Sequence, residues 1–418
     1  MHSLLLCVAV VLTSVAASQV EFPYNLPPTA ACSILKAIYP NNKLLPVDAG
    51  YVNETQLSWD TSACLDPACV FAPSTSAQMS VAISTLATLR TKFAMRGGGH
   101  MPISTAANIN SSGVLLSSTN LIQLRLLADR QTVSPGPGNT WGKVYEYLDG
   151  TGLSVLGGRL GPIGVPGLLL GGGISFYGNE YGFASSNGYI RAYECVLANG
   201  RVVTTTERNR YSGLYWALRG DENSFCIVTR FDLKPIDAPN TMLTDATYGN
   251  GTMVKKQWID SIYNFVMQVH KDTKAAIIPV ARFGSGYCTS RPKEALNIVH
   301  DTLFAGVEAQ LANGIGYPQR PVEIPTFWTE QSISWSRAED DAILEHFKSS
   351  VNAEINAKLE VIKATSAYLY LSDASENQAV FQSYPPENLA RLKAIRSKYD
   401  PTMVFTKLMP GGFKVANA

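Results

Sequence analysis

The stretch Arg96-Gly97-Gly98-Gly99-His100 decides how this 418-residue chain is read. Three consecutive glycines leave the backbone bare and its N–H groups open to approach. A short apolar strand candidate, Thr91 to Met95, leads into them, and one of only five histidines follows. Backbone amides that curl around an oxyanion, with a cation beside them, make a site for a phosphate-bearing cofactor. At the lip of such a loop, His100 stands close to that cofactor.

Context removes the commonest use of a glycine loop. A doubly wound dinucleotide fold needs a strand, Gly-x-Gly-x-x-Gly, then a helix, with an acidic residue about twenty positions on. Here Pro102 follows the loop, and the next stretch, Ser104 to Ser118, is polar and strand-like. No Gly-x4-Gly-Lys-Ser/Thr loop and no Gly-x-Ser-x-Gly elbow is present, which sets aside nucleotide hydrolysis and serine hydrolysis of those types. The spacing of His270, His300 and His346 does not suit a metal, and all three read as helical.

A second glycine cluster lies between 150 and 190. It comprises Gly157-Gly158, Gly161, Gly164, Gly167, Gly171-Gly172-Gly173 and Gly178. Val165, Leu168, Leu169 and Leu170 between them call for burial, which argues against a surface loop. The expectation is backbone packed closely against something flat or charged. Two glycine-rich segments then hold one flat, phosphate-bearing cofactor.

The rest of the chain sets the frame. Its length favours two lobes over one small domain. Hydrophobic content of 46% and charged content of 16% describe a globular protein. A net charge of +1, with no basic stripe, gives no electrostatic case for nucleic acid or an acidic membrane. Leu4 to Val15 is an apolar run too short to span a bilayer, and Ala16, Ala17 and Ser18 follow it. This reads as a secretory signal cleaved near Ser18-Gln19, with a buried N-terminal strand as the alternative. After removal of Cys7 with the signal, Cys32, Cys64, Cys69, Cys195, Cys226 and Cys288 remain. An even number permits disulfides without fixing their pairing, and buried thiols are an equal reading for Cys195 and Cys226. Asn53-Glu54-Thr55, Asn110-Ser111-Ser112 and Asn250-Gly251-Thr252 are glycosylation sequons.

Periodicity supplies the elements. Helices are expected at Cys32 to Ile38, Ser76 to Lys92 and Thr140 to Leu148, the last with Thr140 as N-cap. Strands are expected at Val114 to Ser117, Tyr193 to Leu197, Val202 to Thr206 and Ile227 to Leu233. Ile343, Phe347, Val351, Ile355 and Leu359 recur at four-residue steps and predict a helix with a core-facing stripe. Pro386 to Lys398 is a further helix, with Leu389, Leu392 and Ile395 on one face and Asp400-Pro401 ending it. The mixture is α+β.

The residues also resemble a known family. Met95 to Met101, Pro135-Gly136, Gly157-Gly158-Arg159, Gly164-Val165, Leu168 to Phe176 and Tyr215 to Phe231 are similar to the FAD-binding domain of the vanillyl-alcohol-oxidase superfamily. The likeness is greatest to fungal secreted FAD-linked oxidases related to berberine bridge enzyme, whose ending Lys398 to Pro401 and Pro410 to Lys414 also resemble. The resemblance covers roughly 29–236 and 339–415. It implies a PCMH-type FAD-binding domain of two α/β subdomains and a substrate domain whose antiparallel sheet is backed by helices. The expected divisions are a signal at 1–18, the FAD domain at 19–236, the substrate domain at 237–372 and a returning segment at 373–418.

The same resemblance implies the site. FAD contacts fall on Arg96, Gly97, Gly98, Gly99, His100, Met101, Pro135, Gly136, Gly157, Gly158, Ile163, Gly164, Gly167, Gly172, Gly173, Ile227 and Val228. Loop 96–101 cradles the pyrophosphate, and His100 is the covalent tether to a flavin ring methyl. Leu160 stands where some relatives carry a second, cysteinyl tether, so one link is expected. Ile163 matches a position that governs oxygen access and leans towards an oxidase. The family pairing implies a Cys32–Cys69 disulfide and leaves Cys64 unassigned. Two departures stand out. Ser372-Asp373 replaces an Asn-Tyr pair that supplies the base, which leaves Asp373, Tyr370 and Tyr384 as candidates. The segment between 275 and 335 is short for the family, and Cys226 stands where relatives often carry glycine. The implied partners are a small-molecule substrate and O2, with no metal. The implied reaction is hydride transfer from an alcohol, sugar or secondary metabolite to FAD; a flavin-binding protein without turnover is the alternative.

Overall fold

The computed structural model describes residues 26–418 apart from 187, 221, 239, 243–246, 250, 269–270, 283–298, 308–325, 335–337 and 364. The signal segment, His270, Cys288 and the sequon at Asn250 lie outside the described residues. Asn53 and Asn110 are exposed.

The first sheet carries the glycine loop. Its strands are β1 (Lys43–Leu44), β2 (Cys69–Phe71), β3 (Lys92–Arg96) and β4 (Gly113–Ser117), in the order β1-β2-β4-β3. β4 runs parallel to both neighbours, and all five of its residues are buried, as in a strand covered on both faces. The register sets Arg96 beside Ser117 at the strand ends, where the glycines begin. The helix Ser76–Thr88 precedes β3 and buries Met79, Ala82, Ile83 and Leu86 on one face. It stops short of the expected Lys92 because Arg90 adopts φ 51°, and the Thr91 N–H turns back to the Leu86 carbonyl.

The chain then contributes β5 (Leu124–Leu126), β6 (Val133–Pro135), β7 (Leu153–Ser154), β8 (Ile190–Leu197), β9 (Val202–Thr206), β10 (Cys226–Leu233) and β11 (Ile236–Asp237). Five of these form an antiparallel sheet in the order β5-β6-β10-β8-β9, and β7 pairs with β11. The helix Trp141–Leu148 has Thr140 at its N-cap position, but no side-chain capping bond. One hydrophobic core joins this sheet to the first, from Phe71 and Phe93 to Tyr193 and Phe231.

Beyond Ile236 the helix Thr252–Gln268 is followed by β12 (Val280–Arg282), β13 (Val299–Val307) and β14 (Thr326–Ser334), an antiparallel sheet. His300 therefore lies on a strand, where a helix was expected. All nine residues of β13 pair with β14, and that pairing overrides local propensity.

The helix Asp341–Val361 forms as predicted, but its stripe does not face the core. Ile343 and Phe347 are 46% and 48% exposed, whereas Leu344 is buried. Strict four-residue steps advance 40° beyond a full turn of a 3.6-residue helix, so such a stripe winds away from any fixed partner.

The C-terminal helix Pro386–Tyr399 buries Leu392 and Ile395, with Leu389 packed partly against the core. Asp400 stops it by accepting the N–H groups of Val404 and Phe405, both at 2.8 Å. That turn seats Phe405 edge-on against Phe93 of β3, ring centroids 6.4 Å apart. A disulfide joins Cys32 of the helix Pro28–Ile38 to Cys69 of β2, as the family pairing implies. Closing a loop of this size stabilises the fold by about 4 kcal/mol on the chain-entropy account. Cys195 and Cys226 are buried free thiols, and Cys64 is free and partly exposed.

Candidate functional site

The two glycine segments meet. A Cβ on Gly98 would lie 2.5 Å from both the Cα and N of Gly164, and one on Gly97 would lie 2.5 Å from Pro166 Cγ. Only glycine at 98 and 164 lets the backbones approach so closely. Val165 donates to the Asn139 carbonyl and Trp141 to the Ile163 carbonyl, both at 3.0 Å, which anchors the second segment to the N-terminal end of the helix Trp141–Leu148. Gly157 and Gly158 lie against the Trp141 indole, and the Tyr145 hydroxyl donates to the Gly158 carbonyl at 2.9 Å. Burial pushes the Tyr145 phenol well above its usual range, so it stays a donor. Gly136 is pressed against the Leu121 carbonyl, while Gly167 has open space where a side chain would be. Pro135, Ile227 and Val228 are buried in β6 and β10, and Met101 and Ile163 are partly exposed. Leu160 is 52% exposed.

Arg96 departs from its expected place as the cation beside the loop. Its guanidinium is 1% exposed and turns under the loop to Glu54. It also donates to Ser117 Oγ at 2.8 Å. Ser117 and Thr119 add hydroxyl donors to the same Glu54 carboxylate, at 2.7 and 3.2 Å. A buried guanidinium needs its charge matched and its donors filled, and Glu54 does both. The groups the loop has left to offer an anion are therefore its backbone amides. The N–H groups of Gly98, Gly99 and His100 donate to no acceptor among the described residues.

His100 is half-buried at the end of this loop. Burial moves its pKa below the ordinary histidine value, opposed by a contact with its own backbone. Its imidazole stacks on the Trp59 indole, centroids 5.3 Å apart and planes inclined by 25°.

The three candidate bases occupy different settings. Tyr370 is buried, and its hydroxyl accepts the N–H groups of Gly173 and Ile174, each at 3.2 Å. Burial first, then the charge of Asp373, pushes its pKa up to about 12. Gly172 and Gly173 adopt φ of 118° and 85°, which turns the second segment towards that hydroxyl. The Tyr384 hydroxyl is buried and donates to the Gly220 carbonyl at 2.7 Å. Asp373 ends the short turn Leu371–Asp373 and is exposed. Ser372 of that turn abuts Gly171. The fold thus brings Tyr370 and Ser372 to the Gly171–Gly173 segment, with Asp373 next in the same turn, and locks Tyr384 into packing.

Sequence reasoning missed Glu54, Trp59, Trp141 and Tyr145. Trp141 sits at the start of a correctly predicted helix, beside the second glycine segment, and an aromatic residue opposite a glycine pair is a signal that could have been weighed. Glu54 enters the sequence reading only as the middle residue of a glycosylation sequon and Trp59 not at all, because no local pattern marks their roles.

Comparison with known proteins agrees with this geometry. The FAD binding domain family matches residues 67–206. A FAD-dependent monooxygenase of Arthrobotrys oligospora is 26% identical over 92% of this chain and 89% of its own length. The bifunctional solanapyrone synthase of Alternaria solani is 28% identical over 92% and 89%. Its alignment runs over 469 positions, more than this chain has residues, so that relative carries segments absent here. Among solved structures, 6-hydroxy-D-nicotine oxidase of Arthrobacter nicotinovorans superposes with a TM-score of 0.68 at 17% identity, covering 87% of this chain and 96% of its own. Wild-type BBE-like 1 of Physcomitrella patens gives a TM-score of 0.68 at 17% identity, covering 90% and 97%. The matched FAD binding domain and the FAD-dependent relatives mark the chain as an FAD-dependent oxidoreductase, and the solved structures show that it shares the fold of 6-hydroxy-D-nicotine oxidase and BBE-like 1.

Proposed function

We propose that this chain is a secreted oxidase that removes hydride from an alcohol, sugar or secondary-metabolite substrate, using FAD held by a single covalent bond to His100. The observation that carries the reading is the backbone-on-backbone contact of Gly98 with Gly164, which places His100 beside unbonded loop amides. The residues present fit FAD. Three amide N–H groups of the first loop have no acceptor among the described residues, and neither has the buried Trp141 Nε1. Bound FAD would contribute hydride acceptance at its ring and the return of the electron pair to O2 as H2O2.

The protein's own part is to bind, orient and accept a proton. Loop 98–100 would offer its amides to the pyrophosphate, since Arg96 is engaged by Glu54. Tyr370 keeps its proton at neutral pH and holds the Gly173 and Ile174 amides in place. The base for the substrate hydroxyl is then Asp373, the exposed member of the three candidates. The Cys32–Cys69 disulfide supports an oxidising compartment, and protein recovered from medium should have a mass that begins at Gln19.

Acid precipitation tests the tether. Wild-type protein should stay yellow as a pellet, whereas His100→Ala should release all its flavin; a colourless wild-type pellet would refute attachment. Turnover should give one H2O2 per substrate oxidised, and loss of peroxide with oxygen in the product would show a monooxygenase instead. The locked Tyr370 and Tyr384 favour the second reading, a flavin-binding protein without turnover. Failure of every alcohol, sugar and alkaloid offered to bleach the flavin anaerobically would establish it.

A further inference from the structure

A histidine ring turns about a broad, two-fold χ2 torsion, so an imidazole on a glycine loop samples many orientations. Only those that point a ring nitrogen at the flavin methyl carbon can react. One segment of this chain restricts that freedom. Trp59 stacks on His100 and donates its backbone N–H to the Gly99 carbonyl at 2.8 Å, next to the histidine itself. Gly99 adopts φ 69°, and a Cβ there would come within 2.9 Å of the Leu57 carbonyl oxygen, so residues 57–59 lie directly on the loop. The segment is fastened at its far end. Ser58 Oγ and Asn108 Nδ2 both donate to the Ala63 carbonyl, at 3.2 and 2.8 Å. Trp59 is nevertheless 51% exposed and adds little to the core. Its contact is with the imidazole.

We propose that Trp59 is a positioning residue that fixes the His100 ring for covalent attachment to the flavin, an inference that rests on His100 being the tether. Attachment replaces one methyl C–H and the imidazole N–H with a single C–N bond. The electron pair and two protons stay on the ring system and pass to O2 as H2O2. The stacked, half-buried imidazole keeps a neutral nitrogen for this bond, since burial disfavours its protonated form. Stacking supplies the plane in which that nitrogen points.

The test uses the full chain produced under flavin limitation and then given FAD. The acid-stable fraction is followed over time, and the native flavin spectrum reports binding. Trp59→Phe should attach flavin at the wild-type rate. Trp59→Leu, apolar but without a ring, and Trp59→Ala should bind FAD but attach it about three- to tenfold more slowly, the range of an aromatic pair. His100→Ala sets the zero. Attachment by Trp59→Leu at the wild-type rate would overturn the role of Trp59 alone. A wild type that releases all its flavin in acid would overturn the tether and this role together.

Discussion

Arg96 and Glu222 are both charged groups that the fold encloses, and their surroundings set opposite consequences. Arg96 meets Glu54, Ser117 and a carbonyl, so its burial is matched. Glu222 Oε2 is buried without a hydrogen-bond partner among the described residues, and the residue sits at φ 54°. Burial raises its pKa, while the Lys414 charge and the Phe413 N–H pull it back. A carboxyl with a raised folded pKa binds its proton more tightly folded than unfolded. Its contribution to stability is therefore best at low pH and falls as pH rises from about 4.5 through the folded value. Glu222→Gln should melt higher than wild type at pH 7, and the difference should shrink towards pH 4.5. Thermal melts of both proteins across that range check the sign; an advantage that grows on acidification would refute it. None of this is legible from residue type. A sequence shows an arginine beside three glycines, and the natural reading is a phosphate-facing cation. The opposite outcome depends on Glu54, brought back from 42 positions upstream.

At the scale of elements, the two glycine segments were readable because glycine advertises a missing side chain wherever it stands. Which backbone fills the gap was not readable. Gly98 and Gly164 fill each other's, while Gly157 and Gly158 make room for Trp141. Gly98→Ala would force its methyl into Gly164, where neither backbone can yield. It should destabilise the protein by about 1–3 kcal/mol, as overpacking does, and weaken FAD binding together with stability. A denaturant midpoint and an FAD titration measure both; Gly167→Ala, which meets open space, is the control expected to leave stability nearly unchanged. The helices show the same division. Pro386–Tyr399 has the apolar face its sequence announces. Asp341–Val361 does not, because its contact face is set by what lies beside Leu344 and not by its own four-residue repeat.

Over the whole molecule, the chain's end closes its beginning. Val404, Phe405, Met409 and Val415 join the core built by the first two sheets, and Lys414 donates to Asn223 at 2.6 Å. A chain ending at Asp400 should lose the folded FAD site altogether, read as loss of bound flavin and of cooperative melting; retained binding would show that this closure is dispensable. Tyr370 ties the same late segment to Gly173 across 197 positions. The sequence by itself determined the cofactor class, through bare glycines, a flanking histidine and a Pro102 that forbids the dinucleotide helix. Those are local properties, carried by what each residue lacks or cannot do. Only the tertiary structure decided that Arg96 is enclosed, that Trp59 covers His100, and that two of three candidate bases are held in place. Such contacts join residues far apart in the chain, and the energy that selects them arises only once the sheets pack and exclude water.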